Sequence, residues 1–199
     1  MTKTRLEAFS DAVIAIVMTI MVLELRLPKL ASGDSGWHAL HTLAPEFLTY
    51  LLSFVFLAIY WNNHHHLIHT VKRVNGKILW ANMHLLFWLS LTPAVTAWLG
   101  KNHLSSVPVA VYGIVLLLAA LAYYVLQTVI LSAHGPDTPL KSALGNDLKG
   151  KISPVFYLTA IVFAFVSRWV SIVLYVLVAL IWLIPDRRIE SLYQGAGDA

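Results

Sequence analysis

The sequence predicts an all-α integral membrane protein with six transmembrane helices and both termini in the cytoplasm. Three observations carry that prediction. Of 199 residues, 58% are hydrophobic and only 12% are charged, about half the charged share of a soluble domain, too little to cover a globule with polar surface. Apolar runs recur at the length of about 20 residues that crosses ~30 Å of hydrocarbon. Lysine and arginine are shared unequally between alternate connecting loops, as the positive-inside rule describes. The charges sit in short clusters between apolar runs, so the pI near 9.4 reflects basic loops beside a lipid bilayer and points to no nucleic-acid partner. Cysteine is absent, which excludes a disulfide framework and a thiolate metal site.

The first span covers residues 5–27, RLEAFSDAVIAIVMTIMVLELRL. Lys3 and Arg5 before an apolar run superficially resemble a signal peptide. Glu24 and Arg26 then stand where small cleavage-site residues belong, so the segment is read as a mature helix. Pro28, Lys29 and the polar stretch from Ser32 to His38 form an exit loop. The second span, 45–68, carries His64, His65 and His66 near its end and leads into a basic turn of Lys72, Arg73 and Lys77. The third, 78–99, contains Pro93; a short loop at 101–106 precedes the fourth, 107–131. Residues 134–151, with Gly135, Pro136, Pro139, Gly145 and Gly150, make the longest polar connection. The final apolar block, 152–185, is too long for one ordinary helix, and Ser167-Arg168-Trp169 divides it into a hairpin of two short spans. Spans this short are accommodated by tilt, burial or local thinning of the bilayer. Residues 1–199 thus read as a single six-span domain.

Orientation follows from the cations. Ten of the fourteen lysines and arginines fall on the side of the termini: Lys3, Arg5, Lys72, Arg73, Lys77, Lys141, Lys149, Lys151, Arg187 and Arg188. Arg26, Lys29, Lys101 and Arg168 fall on the other, which makes the first side cytoplasmic.

Asp11 is the anomaly in the first span, because an ionisable group within the bilayer costs roughly 2.5–3.5 kcal/mol even on lenient scales. It lies roughly 9 Å in from Arg5, at about 1.5 Å of rise per residue. His64, counted back from Thr70, and Asn82, counted on from Gly76, fall at a similar depth. Carboxylate, imidazole and amide can satisfy one another, so the sequence predicts a polar layer joining the first three spans, with Ser10 a member. Such a layer is either glue between helices or, since histidine beside a carboxylate titrates near neutral pH, a proton sensor.

A metal site fits less well. His65 and His69 stand four residues apart, but the contiguous His64, His65 and His66 point in different directions around a helix. There is no HExxH motif and no cysteine, so no metal ligand and no catalytic residue is assigned. The sequence gives His65, His66 and His69 no role.

Elsewhere on the first helix, at about 100° per residue, Ile16, Ile20 and Leu23 fall within ~60° of one another. Asp11 points about 140° away from Ile16. Ala8, Ala12, Ala15 and Thr19 form a neighbouring stripe of small residues that permits close helix approach. Periodicity alone leaves lipid contact, core packing and pore lining open for the aliphatic stripe.

Arg5-x-x-x-Phe9-Ser10-Asp11, followed by an aliphatic helix, resembles the RxxxFSD signature that opens the transmembrane protein 175 family of lysosomal and prokaryotic potassium channels. Trp61-Asn62-Asn63-His64 is similar to that family's W-x-x-H near the end of the second span, and Asn82 and Pro93 to its third-span asparagine and proline. The resemblance implies a channel whose first helix lines a central pore without a carbonyl filter. It implies a hydrophobic constriction at Ile16, continued by Ile20 and Leu23, with a hydroxyl layer at Thr19. Arg5, Ser10 and Asp11, with His64 and Asn82, would then brace the pore helix without touching ions. It further implies one six-span unit per chain, a homotetramer in a prokaryotic cell membrane, potassium as the permeant ion, no cofactor and no enzymatic activity. His66 stands where the family leads us to expect an arginine. Val111-Tyr112-Gly113 echoes a carbonyl filter by chance, inside an apolar span. The rival expectation is a proton-linked transporter that uses Asp11 and His64 as a relay.

Overall fold

Thr2 opens the first helix, its side chain accepting a hydrogen bond from the Arg5 amide at 3.4 Å. Such a cap satisfies one of the amides that a helix start leaves without a partner. The computed structural model describes residues 1–25, 27, 36–134 and 148–183. Helix α1 spans Lys3–Ile20 and tightens into a 3-10 turn over Met21–Glu24. It buries Leu6, Ser10, Ile14, Val17 and Met21, which recur every three or four residues and so form one face. Helix α2, Trp37–His69, runs back beside it. Helix α3, Gly76–Ser90, starts at an Asn75 cap that accepts from the Ile78 amide at 2.9 Å.

The third predicted span is two helices. Helix α3 stops at Leu91, and α4, Thr92–Lys101, takes over with Pro93 in its first turn. Proline lacks an amide to donate and is tolerated there because early amides have no intrahelical partner anyway. Helices α5, Ser106–His134, α6, Leu148–Phe163, and α7, Arg168–Leu183, follow among the described residues. Helix α3 lies against α5, α5 against α6, and α4 and α7 against α2. Two apolar cores result. One joins α1, α2, α3 and α5 through Ile14, Leu57, Ile78, Leu85 and Leu126. The other joins α2 and α4 to α5, α6 and α7 through Phe56, Leu99, Tyr112, Tyr157 and Tyr175.

Between these cores α2, α4 and α5 share a polar knot. Ser53 donates to the Thr49 carbonyl (2.9 Å) and accepts from Thr96 (2.7 Å), and its oxygen lies 3.0 Å from the Tyr112 hydroxyl. With the one serine proton committed to Thr49, Tyr112 is the donor, and the serine oxygen has both lone pairs occupied.

Among the described residues, four helical segments are long and apolar enough to cross a membrane: Lys3–Glu24, Leu40–His69, Gly76–Lys101 and Ser106–Ala133. At the expected last two spans the described residues give α6 and α7 of 16 residues each, about 24 Å of helix against ~30 Å of hydrocarbon. They form the hairpin expected at Ser167-Arg168-Trp169. Ser171 donates to the Ala160 carbonyl at 2.6 Å near the turn, and Trp182 donates to Ser153 at 2.8 Å at the open end. Helix α2 begins well before the expected start at Pro45, which sits inside it. The carbonyl that Pro45 leaves unbonded is that of His41, an exposed residue near the helix start, where the loss is mild. Pro28, Lys29 and most of the expected exit loop, with Arg26, lie outside the described residues. So do Gly135, Pro136, Pro139, Lys141 and Gly145 of the long connection, and Arg187 and Arg188.

The filter-like triplet has a packing explanation. Tyr112 belongs to the polar knot, and a Cβ on Gly113 would stand 2.0 Å from the Tyr175 hydroxyl and 2.9 Å from Ile161. Tyr175 is itself fixed by donating to the Val109 carbonyl at 3.0 Å. Gly113→Ala should therefore lower the thermal midpoint of the purified protein, by an overpacking cost of about 1–3 kcal/mol. Adding Tyr175→Phe, which removes the clashing oxygen, should restore part of it. A midpoint unchanged by Gly113→Ala would refute this close approach.

Candidate functional site

The site is the two-faced helix α1, and its inner face is held by a chain of buried hydrogen bonds. Ser10, His64 and Asn82 are all 0% exposed. Ser10 donates to the Leu6 carbonyl one turn back at 2.8 Å and accepts from the Asn82 side-chain amide at 2.9 Å. The Asn82 carbonyl oxygen lies 2.7 Å from His64 Nε2. Because that oxygen can only accept, His64 carries its proton on Nε2. Its Nδ1 has no hydrogen-bond partner among the described residues. One residue each from α1, α2 and α3 is thus linked donor to acceptor in a layer where lipid offers nothing else to bond.

A second set of contacts runs along the α1–α2 seam nearer the amino terminus. Lys3 Nζ donates to the His69 carbonyl at 2.6 Å. Glu7 Oε1 lies 3.4 Å from His65 Nδ1. Trp61 Nε1 donates to Asp11 at 3.0 Å. Residues 3, 7 and 11 on one helix meet 69, 65 and 61 on the other, each step one helical turn. This register is what two antiparallel helices with side chains at every fourth position produce.

The structure therefore brings Ser10, His64 and Asn82 together, as depth counting suggested, but gives Asp11 a different partner. The carboxylate takes the indole of Trp61, and no hydrogen bond joins it to His64 among the described residues. Depth along an axis places residues in one layer without fixing which way α2 is rotated, and His64 is turned toward α3. Trp61 was visible in the sequence as part of WNNH, yet nothing there marked it as the acid's partner. Arg5 is exposed, and its guanidinium makes no hydrogen bond or ion pair among the described residues.

The outer face of α1 is exposed among the described residues. Ile16 is 55% exposed, Ile20 44% and Leu23 74%; Ala8, Ala12, Ala15 and Thr19 are exposed beside them. The 3-10 turn helps to align this face. Three residues of a 3-10 helix make a full turn, so Leu23 stands more nearly in line with Ile20 than an α-helix would place it. Thr19 donates its hydroxyl proton back to its own helix, with the Ala15 and Ile16 carbonyls 2.9 and 3.0 Å away. The oxygen lone pairs consequently point away from the helix. At the far end Glu24, in the 3-10 turn, forms an exposed ion pair with Lys101 at 2.7 Å.

The chain is similar to known proteins. The family model described as the endosomal/lysosomal potassium channel TMEM175 matches residues 5–93, from the start of the braced helix to the proline of α4. Over 191 residues the chain is 54% identical to a potassium channel of Chryseobacterium sp. strain P1-3, covering 96% of this chain and 97% of that one. It is 38% identical over 127 residues, 61% of each chain, to a potassium channel of Streptomyces collinus. Among solved structures, the crystal structure of a lysosomal potassium-selective channel TMEM175 homolog from Chamaesiphon minutus matches with a TM-score of 0.79 at 26% identity. That match spans 92% of this chain and 97% of the other. With a relative this similar along almost its whole length, the chain belongs to the TMEM175 family.

Proposed function

We propose that the chain is one subunit of a homotetrameric potassium channel in the cell membrane of a prokaryote, and that the exposed face of α1 lines its pore. The carrying observation is the two-sidedness of α1. One face is bonded into the bundle through Ser10, and the opposite face presents Ile16, Ile20, Leu23 and Thr19, all exposed among the described residues. Membership of a channel family, with bacterial relatives named as potassium channels, supports the ion and the membrane. In this reading both termini lie in the cytoplasm. The broken α3–α4 helix counts as one span, and the α6–α7 hairpin supplies the last two of six.

Four copies of α1 around an axis would place rings of aliphatic side chains across the conduction path. The small residues Ala8, Ala12 and Ala15, exposed beside them, permit neighbouring helices to approach closely. A narrow apolar ring expels water and raises the ion's dehydration cost, so it gates by dewetting. Displacement of α1 opens it. A ring of Thr19 oxygens, with lone pairs directed outward, replaces part of the potassium hydration shell without any carbonyl filter. No cofactor and no chemistry enter the scheme; the ion moves down its electrochemical gradient. The proton-relay alternative lacks its central contact, because Asp11 is bonded to Trp61 and His64 to Asn82.

Two measurements test this. Replacing Ile16 with Asn wets the constriction and should raise potassium efflux from reconstituted liposomes several-fold at equal protein density. Unchanged efflux from an intact assembly would remove Ile16 from the gate. Asn82→Leu preserves bulk but strips the His64 Nε2–H of its acceptor, a desolvation cost of about 1–3 kcal/mol. It should lower the thermal midpoint and broaden the size-exclusion peak of the assembly. A variant as stable and as well assembled as the parent would show that the chain through Asn82 braces nothing.

A further inference from the structure

The three consecutive histidines diverge. His64 turns to Asn82, while His65 turns to α1 and joins His69, one turn further along α2, and Glu7. One donor atom from each of Glu7, His65 and His69 lies within 4.8 Å of the others. Glu7 and His65 are half-buried and His69 is exposed. The two imidazoles face each other as a T-shaped pair with centroids 5.3 Å apart. Nothing in the bracing of α1 through Ser10, or in the outer face, calls for two imidazoles and a carboxylate at one point.

We propose that Glu7, His65 and His69 bind a divalent transition-metal ion, zinc by preference, which clamps the amino-terminal end of α1 to the carboxyl-terminal end of α2. The donor set is chemically apt: imidazole nitrogens and a carboxylate oxygen are zinc ligands, and three protein donors leave a fourth position for water. The geometry is nearly set. Donors on a tetrahedral zinc with ~2.0–2.1 Å bonds stand about 3.3 Å apart, and Glu7 Oε1 and His65 Nδ1 already stand at 3.4 Å. Only the exposed His69 has to swing inward. Its backbone is held in register by the bond from Lys3 to its carbonyl, so the swing is a side-chain torsion with no helix movement. Two ligands come from α2 and one from α1, so occupancy ties the mobile helix of the proposed channel to its scaffold at that end.

The test is zinc titration of the purified full chain in detergent, by calorimetry and by competition with a chromophoric chelator. The proposal expects one zinc per chain at micromolar or lower concentration. His69→Ala and Glu7→Gln should each weaken binding at least tenfold, while His84→Ala and His103→Ala leave it unchanged. Absence of binding up to millimolar zinc, or equal binding by His69→Ala, overturns it. A second arm rests on the channel reading above: zinc at saturating concentration should lower potassium efflux from liposomes at least twofold for the parent and not for His69→Ala. Efflux unaffected by bound zinc overturns the clamp. Intact binding in a protein that passes no potassium at all would instead count against the channel reading and leave the metal site standing.

Discussion

A hydrogen bond inside a bilayer has no water to replace it, and the rest of this molecule depends on that constraint. Ser10 has one proton and spends it on Leu6; its oxygen is then filled by Asn82, whose own oxygen is filled by His64. No link can be dropped without leaving a buried donor or acceptor unmet. The chain fixes the rotation of α1 about its axis relative to α2 and α3. Once that rotation is set, the direction of every other α1 residue follows from helical periodicity, including the outward turn of Ile16, Ile20 and Leu23.

The two ends of α1 are held differently. At the amino-terminal end, contacts from Lys3, Glu7 and Asp11 to α2 follow one another turn by turn. Beyond Asp11 the helix is retained by apolar burial of Ile14, Val17 and Met21, which is non-directional and tolerates sliding. Glu24 pairs with Lys101 at the far end, an exposed contact of the kind worth about 0–1 kcal/mol. In the proposed channel the constriction therefore sits on the half held by apolar packing, where among the described residues no buried side-chain hydrogen bond joins α1 to the bundle. The metal site would act on the other half.

Much of this was legible in the sequence, and the misses share a cause. A charged residue in an apolar run announced that α1 needed polar partners, and depth counting found Asn82 and His64 because axial rise is nearly constant. It assigned Asp11 to the wrong partner because the rotation of α2 is decided by side chains on three helices at once. For the same reason His65 and His69 could be seen as a pair while their third companion, Glu7, could not. The last two described helices were legible as a hairpin at Ser167-Arg168-Trp169, but 16 residues each are too few for length to mark them as spans. Val111-Tyr112-Gly113 shows the opposite case, a suggestive triplet whose tyrosine and glycine are occupied with Ser53 and Tyr175.

The central claim, that α1 is braced on one face and lines the conduction path with the other, can be measured residue by residue. The chain contains no cysteine, so single cysteines placed along residues 12–23 report accessibility without background. Water-soluble thiosulfonate reagents should modify Ile16→Cys, Thr19→Cys and Leu23→Cys and block potassium flux in liposomes, sparing Ile14→Cys and Val17→Cys. Modification of the buried positions, or an outer face unreactive because it meets lipid, would contradict the account.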